Sequence, residues 1–99
     1  MLKLFISQPM KGKTDEEILG VRENAIDYTL NLLGEEVHVI DSYFQHAPVD
    51  AKPLWFLGKS IELMSTADVV YFADEWEHYR GCAVEHECAK LYGLNIIHD

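Results

Sequence analysis

The chain has 99 residues, 17 acidic against 8 basic, and a formal net charge of -9 at pH 7. That length supports one hydrophobic core, so residues 1–99 are read as a single domain. The acidic excess excludes nucleic-acid polymers as general partners, because phosphate backbones are bound by clustered Lys and Arg. No apolar run approaches the ~20 residues of a membrane helix. Met1–Ile6 meets Ser7-Gln8-Pro9 too early for a signal peptide. A cytoplasmic protein without membrane contact is therefore expected.

Leu2–Ile6 is a short apolar run ending in a loop, the pattern of a buried strand. Thr14-Asp15-Glu16-Glu17 is a capping box, with reciprocal bonds expected between Thr14 and Glu17. The stripe Ile18, Val21, Ala25, Thr29 and Leu32 makes the following helix, and Gly34 suits its left-handed end. Val37–Ile40 is a second strand. Tyr43–Lys52 has no period and is read as loop. Pro53 opens a helix with Leu54, Leu57, Ile61 and Met64 on one face. Ala67–Ala73 is a β-former run around Asp68, read as a strand buried on both sides. A polar loop, Asp74–Tyr79, leads into a helix over Gly81–Tyr92 with Val84, Cys88 and Leu91 inward. Leu94–Ile97 is the last strand.

The order β-α-β-α-β-α-β predicts a single-domain three-layer α/β sandwich, flavodoxin/Rossmann-like, with four short parallel strands. Ligands of such sheets bind outside the carboxyl ends of the strands. The loops Ser7–Lys13, Asp41–Lys52 and Asp74–Arg80 converge there.

The densest group of chemical side chains runs from Asp74 to Glu85. Gly81 suits close backbone approach or unusual dihedrals at the helix start. Glu85 is expected about one turn in, where free N–H groups and the helix dipole favour an anion. By position alone Glu85 reads as a first-turn acid on a solvated face rather than as a nucleophile. Arg80, Lys11 and Lys13, with the Ser7 hydroxyl, are candidates for an anionic group such as phosphate. Cys82 and His86 at i, i+4, near His78 and Cys88, raise the question of zinc. Cys88 faces elsewhere and no four-ligand set emerges, so no metal is expected. With no Gly-rich nucleotide motif, no cofactor is expected either. Tyr28, Tyr43, Phe44, Trp55, Phe56 and Tyr92 read as packing or interface residues rather than as a base-stacking platform. Trp55-Phe56 is a candidate centre for a homo-oligomer contact.

Gly81-Cys82-Ala83-Val84-Glu85-His86-Glu87-Cys88-Ala89, followed by Tyr92-Gly93-Leu94-Asn95-Ile96-Ile97, resembles the signature helix and last strand of the nucleoside 2-deoxyribosyltransferase superfamily. Phe5-Ile6-Ser7-Gln8-Pro9-Met10 with Gly12 resembles its first strand and loop, and Ala67-Asp68-Val69-Val70 its third strand. Within that superfamily the Trp76-Glu77-His78-Tyr79-Arg80-Gly81 loop, reaching Glu85, is most similar to short DUF4406-type domains. The resemblance spans nearly the whole chain. It implies a small-molecule nucleoside or nucleotide substrate and a Glu85 nucleophile attacking C1′ of a 2′-deoxyribose. It places Ser7, Gln8, Pro9 and Met10 at the sugar or base, and Asp74 and Trp76 beside the base. Arg80 and Gly81 complete the expected binding residues. The implied reaction is deoxyribosyl transfer or hydrolysis of the N-glycosidic bond. Tyr79 and Glu87 depart from the superfamily's pattern of an Asp and a Gly. These departures support the alternative, a non-catalytic nucleotide-binding or sensing module of the same fold.

Overall fold

The computed structural model describes residues 1–98. Its elements follow the expected order: β1 (Leu2–Ser7), α1 (Asp15–Leu33), β2 (Val37–Val39), α2 (Pro53–Met64), β3 (Val69–Phe72), a 3-10 turn (Trp76–His78), α3 (Arg80–Leu91) and β4 (Ile96–His98). The four strands form one sheet in the order β2-β1-β3-β4, and every pairing is parallel. The register aligns Leu4 with both Val39 and Val69, and Phe72 with both Ser7 and His98. The chain moves one way from β1 to β2 and the other way from β2 to β3. The switch point therefore falls between β1 and β3.

The pleat assigns each strand residue to one of two layers. Leu4, Ile6, Val69, Tyr71 and Ala73 pack with Ala25 of α1. Phe5, Val70 and Phe72 pack with Met64 of α2 and Ala89 of α3. All of these are buried, as expected for a parallel sheet covered on both faces. Because Phe5 faces α2 and α3, so does Ser7; Gln8 faces α1. Consecutive residues at the end of β1 are thus sent to opposite sides of the sheet.

The caps of α1 follow local chemistry. Thr14 Oγ1 accepts from the Glu17 N–H at 3.1 Å, and Glu17 Oε1 accepts from the Thr14 N–H at 3.1 Å. At the other end Gly34 takes the left-handed conformation, φ 66°, and its N–H donates to the Leu30 carbonyl. The buried stripe of α1 differs from the expected one: it is Ile18, Arg22, Ala25 and Thr29, while Leu32 is exposed. Helix α3 is also turned from the expected face. Cys82, Glu85 and Ala89 are buried, whereas Val84 is 41 % and Leu91 69 % exposed. In both helices a charged side chain takes an inward position because polar groups at the strand ends wait for it. No helix among the described residues is long and apolar enough to cross a membrane.

Candidate functional site

Glu85 is the centre of the site. It is the sixth residue of α3, beyond the first turn, so the expected support from free helix N–H groups gives way to side-chain partners. Ser7 Oγ, at the end of β1, donates to Glu85 Oε1 at 2.6 Å. The short bond is typical of a hydroxyl facing a carboxylate. Glu85 is only 7 % exposed, and burial raises its pKa above the ordinary carboxylate value. Hydrogen bonding from Ser7, and from Ser60 on α2, pulls the other way and favours the ionised form. The carboxylate is held by the Ser7 hydroxyl rather than by a cation: among the described residues, no ion pair involves it.

Cys82 lies one turn earlier on the same inward face. Burial, its leading cause, pushes the thiol pKa up to about 11; the Ser7 hydrogen bond opposes this and the Glu85 charge adds to it. Such a thiol is inert at neutral pH and is packing rather than a nucleophile or ligand. Its i, i+4 neighbour His86 has different surroundings. It stacks on Trp76 with centroids 3.8 Å apart and planes at 10°. Its Nε2 lies 3.2 Å from His98 Nε2. Among the described residues no group of three or more His, Cys, Asp or Glu side chains is placed to hold a metal ion.

On the opposite face, Gln8 and Arg22 build a second polar knot. Arg22 Nη1 donates to Gln8 Oε1 at 2.9 Å, and Nη2 donates to the Ile40 carbonyl at 3.1 Å and Ser42 Oγ at 3.3 Å. Gln8 Nε2 donates to the Ile18 carbonyl at 3.0 Å. Arg22 is 8 % exposed, and burial lowers its pKa, with the Asp41 charge opposing. Sequence reasoning missed Arg22 because a charged residue inside an apolar stripe reads as surface. The one available signal was its place three residues before Ala25 and four after Ile18, on the buried arc.

A groove of about 290 Å³ opens between α1 and the end of β3, with Pro9, Lys13, Tyr71, Ala73, Asp74 and Glu75 in its wall. Glu75 stands there in the left-handed region, φ 68°, a conformation that costs a non-glycine residue about 1 kcal/mol or more. Gly81, by contrast, has no positive φ, and a Cβ there would meet nothing within 4 Å. The close approach or unusual dihedral expected of it is not used. The expected site residues are therefore divided. Ser7 and Glu85 meet on the α2/α3 side, while Pro9 and Asp74 meet in the groove on the α1 side. Met10 is half-buried, and its carbonyl closes the loop by accepting from the Lys13 N–H. Arg80 is exposed at the start of α3, and one face of the Trp76 indole is taken by His86.

A four-stranded parallel sheet with helices on both faces and a switch point between β1 and β3 defines a doubly wound, Rossmann/flavodoxin-like domain. Within that class the chain belongs to the family described as Domain of unknown function (DUF4406), whose model matches residues 2–98. No curated protein and no solved structure matches it.

Proposed function

We propose that the protein acts on the N-glycosidic bond of 2′-deoxynucleosides or their 5′-monophosphates, by deoxyribosyl transfer or hydrolysis. This is the chemistry implied by the resemblance of its helix and loop segments to the nucleoside 2-deoxyribosyltransferase superfamily. The observation that carries the reading is the Ser7–Glu85 hydrogen bond: a buried carboxylate, without a cation, aimed at the end of β1 beside the switch point. In this reading a Glu85 oxygen attacks C1′, the C1′–N bond breaks, and its electron pair leaves with the base. Asp74, the expected acid, lies in the groove on the opposite face of the sheet, so the departing base takes its proton from solvent, and a second base or water then attacks C1′ of the glycosyl ester. Ser7 and Ser60 favour the ionised nucleophile, while burial keeps it poorly hydrated and so reactive.

Because the attacking form is the carboxylate, activity falls as pH drops through the raised pKa of Glu85. The acid limb of the rate profile is thus expected above the ordinary carboxylate range. The direct test is incubation with a panel of deoxynucleosides and monophosphates, with free base followed by chromatography, beside Glu85→Gln. Release that disappears in the variant supports the chemistry and the nucleophile together. No release by folded protein favours a nucleotide-binding or sensing module, the reading to which Tyr79 and the solvent-exposed Glu87 also lend weight.

A further inference from the structure

Three aromatic rings cluster where the β2–α2 loop meets the first turn of α2. Trp55 and Phe56 lie 5.1 Å apart between centroids at 84°, Phe44 and Trp55 5.8 Å apart at 76°, and Phe44 and Phe56 6.3 Å apart at 41°. Edge-on contacts fill one ring face each, so the trio cannot satisfy all of its own stacking surface. Phe44 and Trp55 instead line an open cleft of about 180 Å³, with Asp41, Gln45 and His46 around it. Phe56 remains 37 % exposed.

The place of this cluster relative to Glu85 follows from the helix. Phe56 and Ser60 are one turn apart on the same side of α2, and Ser60 is the second hydroxyl acting on Glu85. Since α2 runs antiparallel to the strands, Phe56 stands about 6 Å further toward the ligand-binding edge than Ser60. The loop bearing Phe44 is tied down at the two residues just before it. Tyr43 hydroxyl donates to Asp15 Oδ1 on α1, and Ser42 is held by Arg22. Trp76, by contrast, has already given one ring face to His86.

We infer that Phe44 and Trp55 form the stacking platform of a nucleobase subsite, with Asp41, Gln45 and His46 supplying hydrogen bonds to the edge of the base. The inference deepens the glycosidic reading, on which the choice of a base as ligand rests. The cleft is smaller than the ~300–1,000 Å³ of drug-sized sites. It therefore suits one planar ring system, with the sugar extending toward Glu85. Stacking serves any base, whereas the polar edge selects among them.

Trp55 is its own reporter once Trp76→Phe removes the other of the two tryptophans. The experiment titrates that variant with free adenine, guanine, cytosine and thymine through the millimolar range and follows Trp55 fluorescence. At least one base is expected to quench it saturably. Adding Phe44→Leu should weaken that base about tenfold or more, and Phe44→Tyr should restore it. Circular dichroism and the melting temperature establish that each variant is folded. Absence of saturable quenching by every base overturns the inference, as does equal affinity in Phe44→Leu. A Phe44→Leu variant that dissociates an oligomer while keeping base affinity overturns it in favour of self-association. Base binding that depends on Phe44, in protein that turns over no deoxynucleoside, upholds the subsite and removes the glycosidic chemistry.

Discussion

The two ends of one dipeptide, Ser7 and Gln8, organise opposite charges on opposite faces of the sheet. On the α2/α3 side a buried carboxylate, Glu85, is held by the Ser7 hydroxyl. On the α1 side a buried guanidinium, Arg22, is held by an amide oxygen, a backbone carbonyl and a hydroxyl. Neither has an ion-pair partner among the described residues. Two such charges in contact would neutralise each other and leave an inert structural pair. Kept apart by the pleat, they are free to differ. Arg22 satisfies its donors within the protein and joins the ends of β1 and β2. Glu85 is left under tension between burial, which favours its proton, and two hydroxyls, which favour its charge. On the proposed reading, that difference separates a structural ion from one available for chemistry.

The largest effect expected is from Glu85→Gln. Loss of an attacking carboxylate should reduce turnover by about a thousandfold or more. The same change should raise the melting temperature at neutral pH. Burial places the folded-state pKa of Glu85 above its unfolded value, so the folded form holds the proton more tightly. The stability supplied by that proton is complete below the unfolded pKa and lost as pH rises through the folded one. Thermal melts across pH should show this decline in the native protein and its removal in the amide variant. A Glu85→Gln protein that is less stable at neutral pH would place Glu85 with Arg22, as structure only.

Arg22→Met is the converse. It leaves Gln8 Oε1 and the Ile40 carbonyl without their donor, at a cost on the order of 3 kcal/mol in urea unfolding. Substrate affinity per folded molecule should change far less than stability. Ser7→Ala sharpens the comparison from the other side. It removes a hydrogen bond to a charged group, worth about 1.5–3 kcal/mol or about ten- to hundredfold in kcat/KM at neutral pH. It also removes a group that lowers the Glu85 pKa, so the acid limb of the rate profile should move to higher pH. An unshifted limb would detach Ser7 from the chemistry. Thr14→Ala is the smallest change and the control. It costs α1 about 1 kcal/mol by opening the capping box, measured by thermal melts, and leaves the pH profile alone.

Local signals in the chain were clear wherever local chemistry decides. Thr14 and Glu17 announce the start of α1, Gly34 its end, and Pro53 the start of α2. The alternation of strand and helix patterns leads to the four-stranded parallel sheet that the structure shows. Helix faces were less legible. Val84 and Leu91 were expected inward because apolar residues are, yet α3 turns Glu85 inward to meet Ser7, 78 positions away in the chain. The same misreading left Arg22 outside the core stripe. Periodicity weighs hydrophobicity along one helix and has no access to the partners that another element brings to it.

The order of elements, the parallel sheet and the candidacy of Glu85 each follow from neighbours within a few residues or from a recognisable run of them. Tertiary structure alone decided which side of the sheet each polar residue serves. It sent Ser7 to Glu85 and Gln8 to Arg22, gathered Phe44 with Trp55 and Phe56, and covered one face of Trp76 with His86. The physical reason is that burial and hydrogen-bond satisfaction are properties of a closed core, settled only when strands and helices distant in the chain are brought into contact.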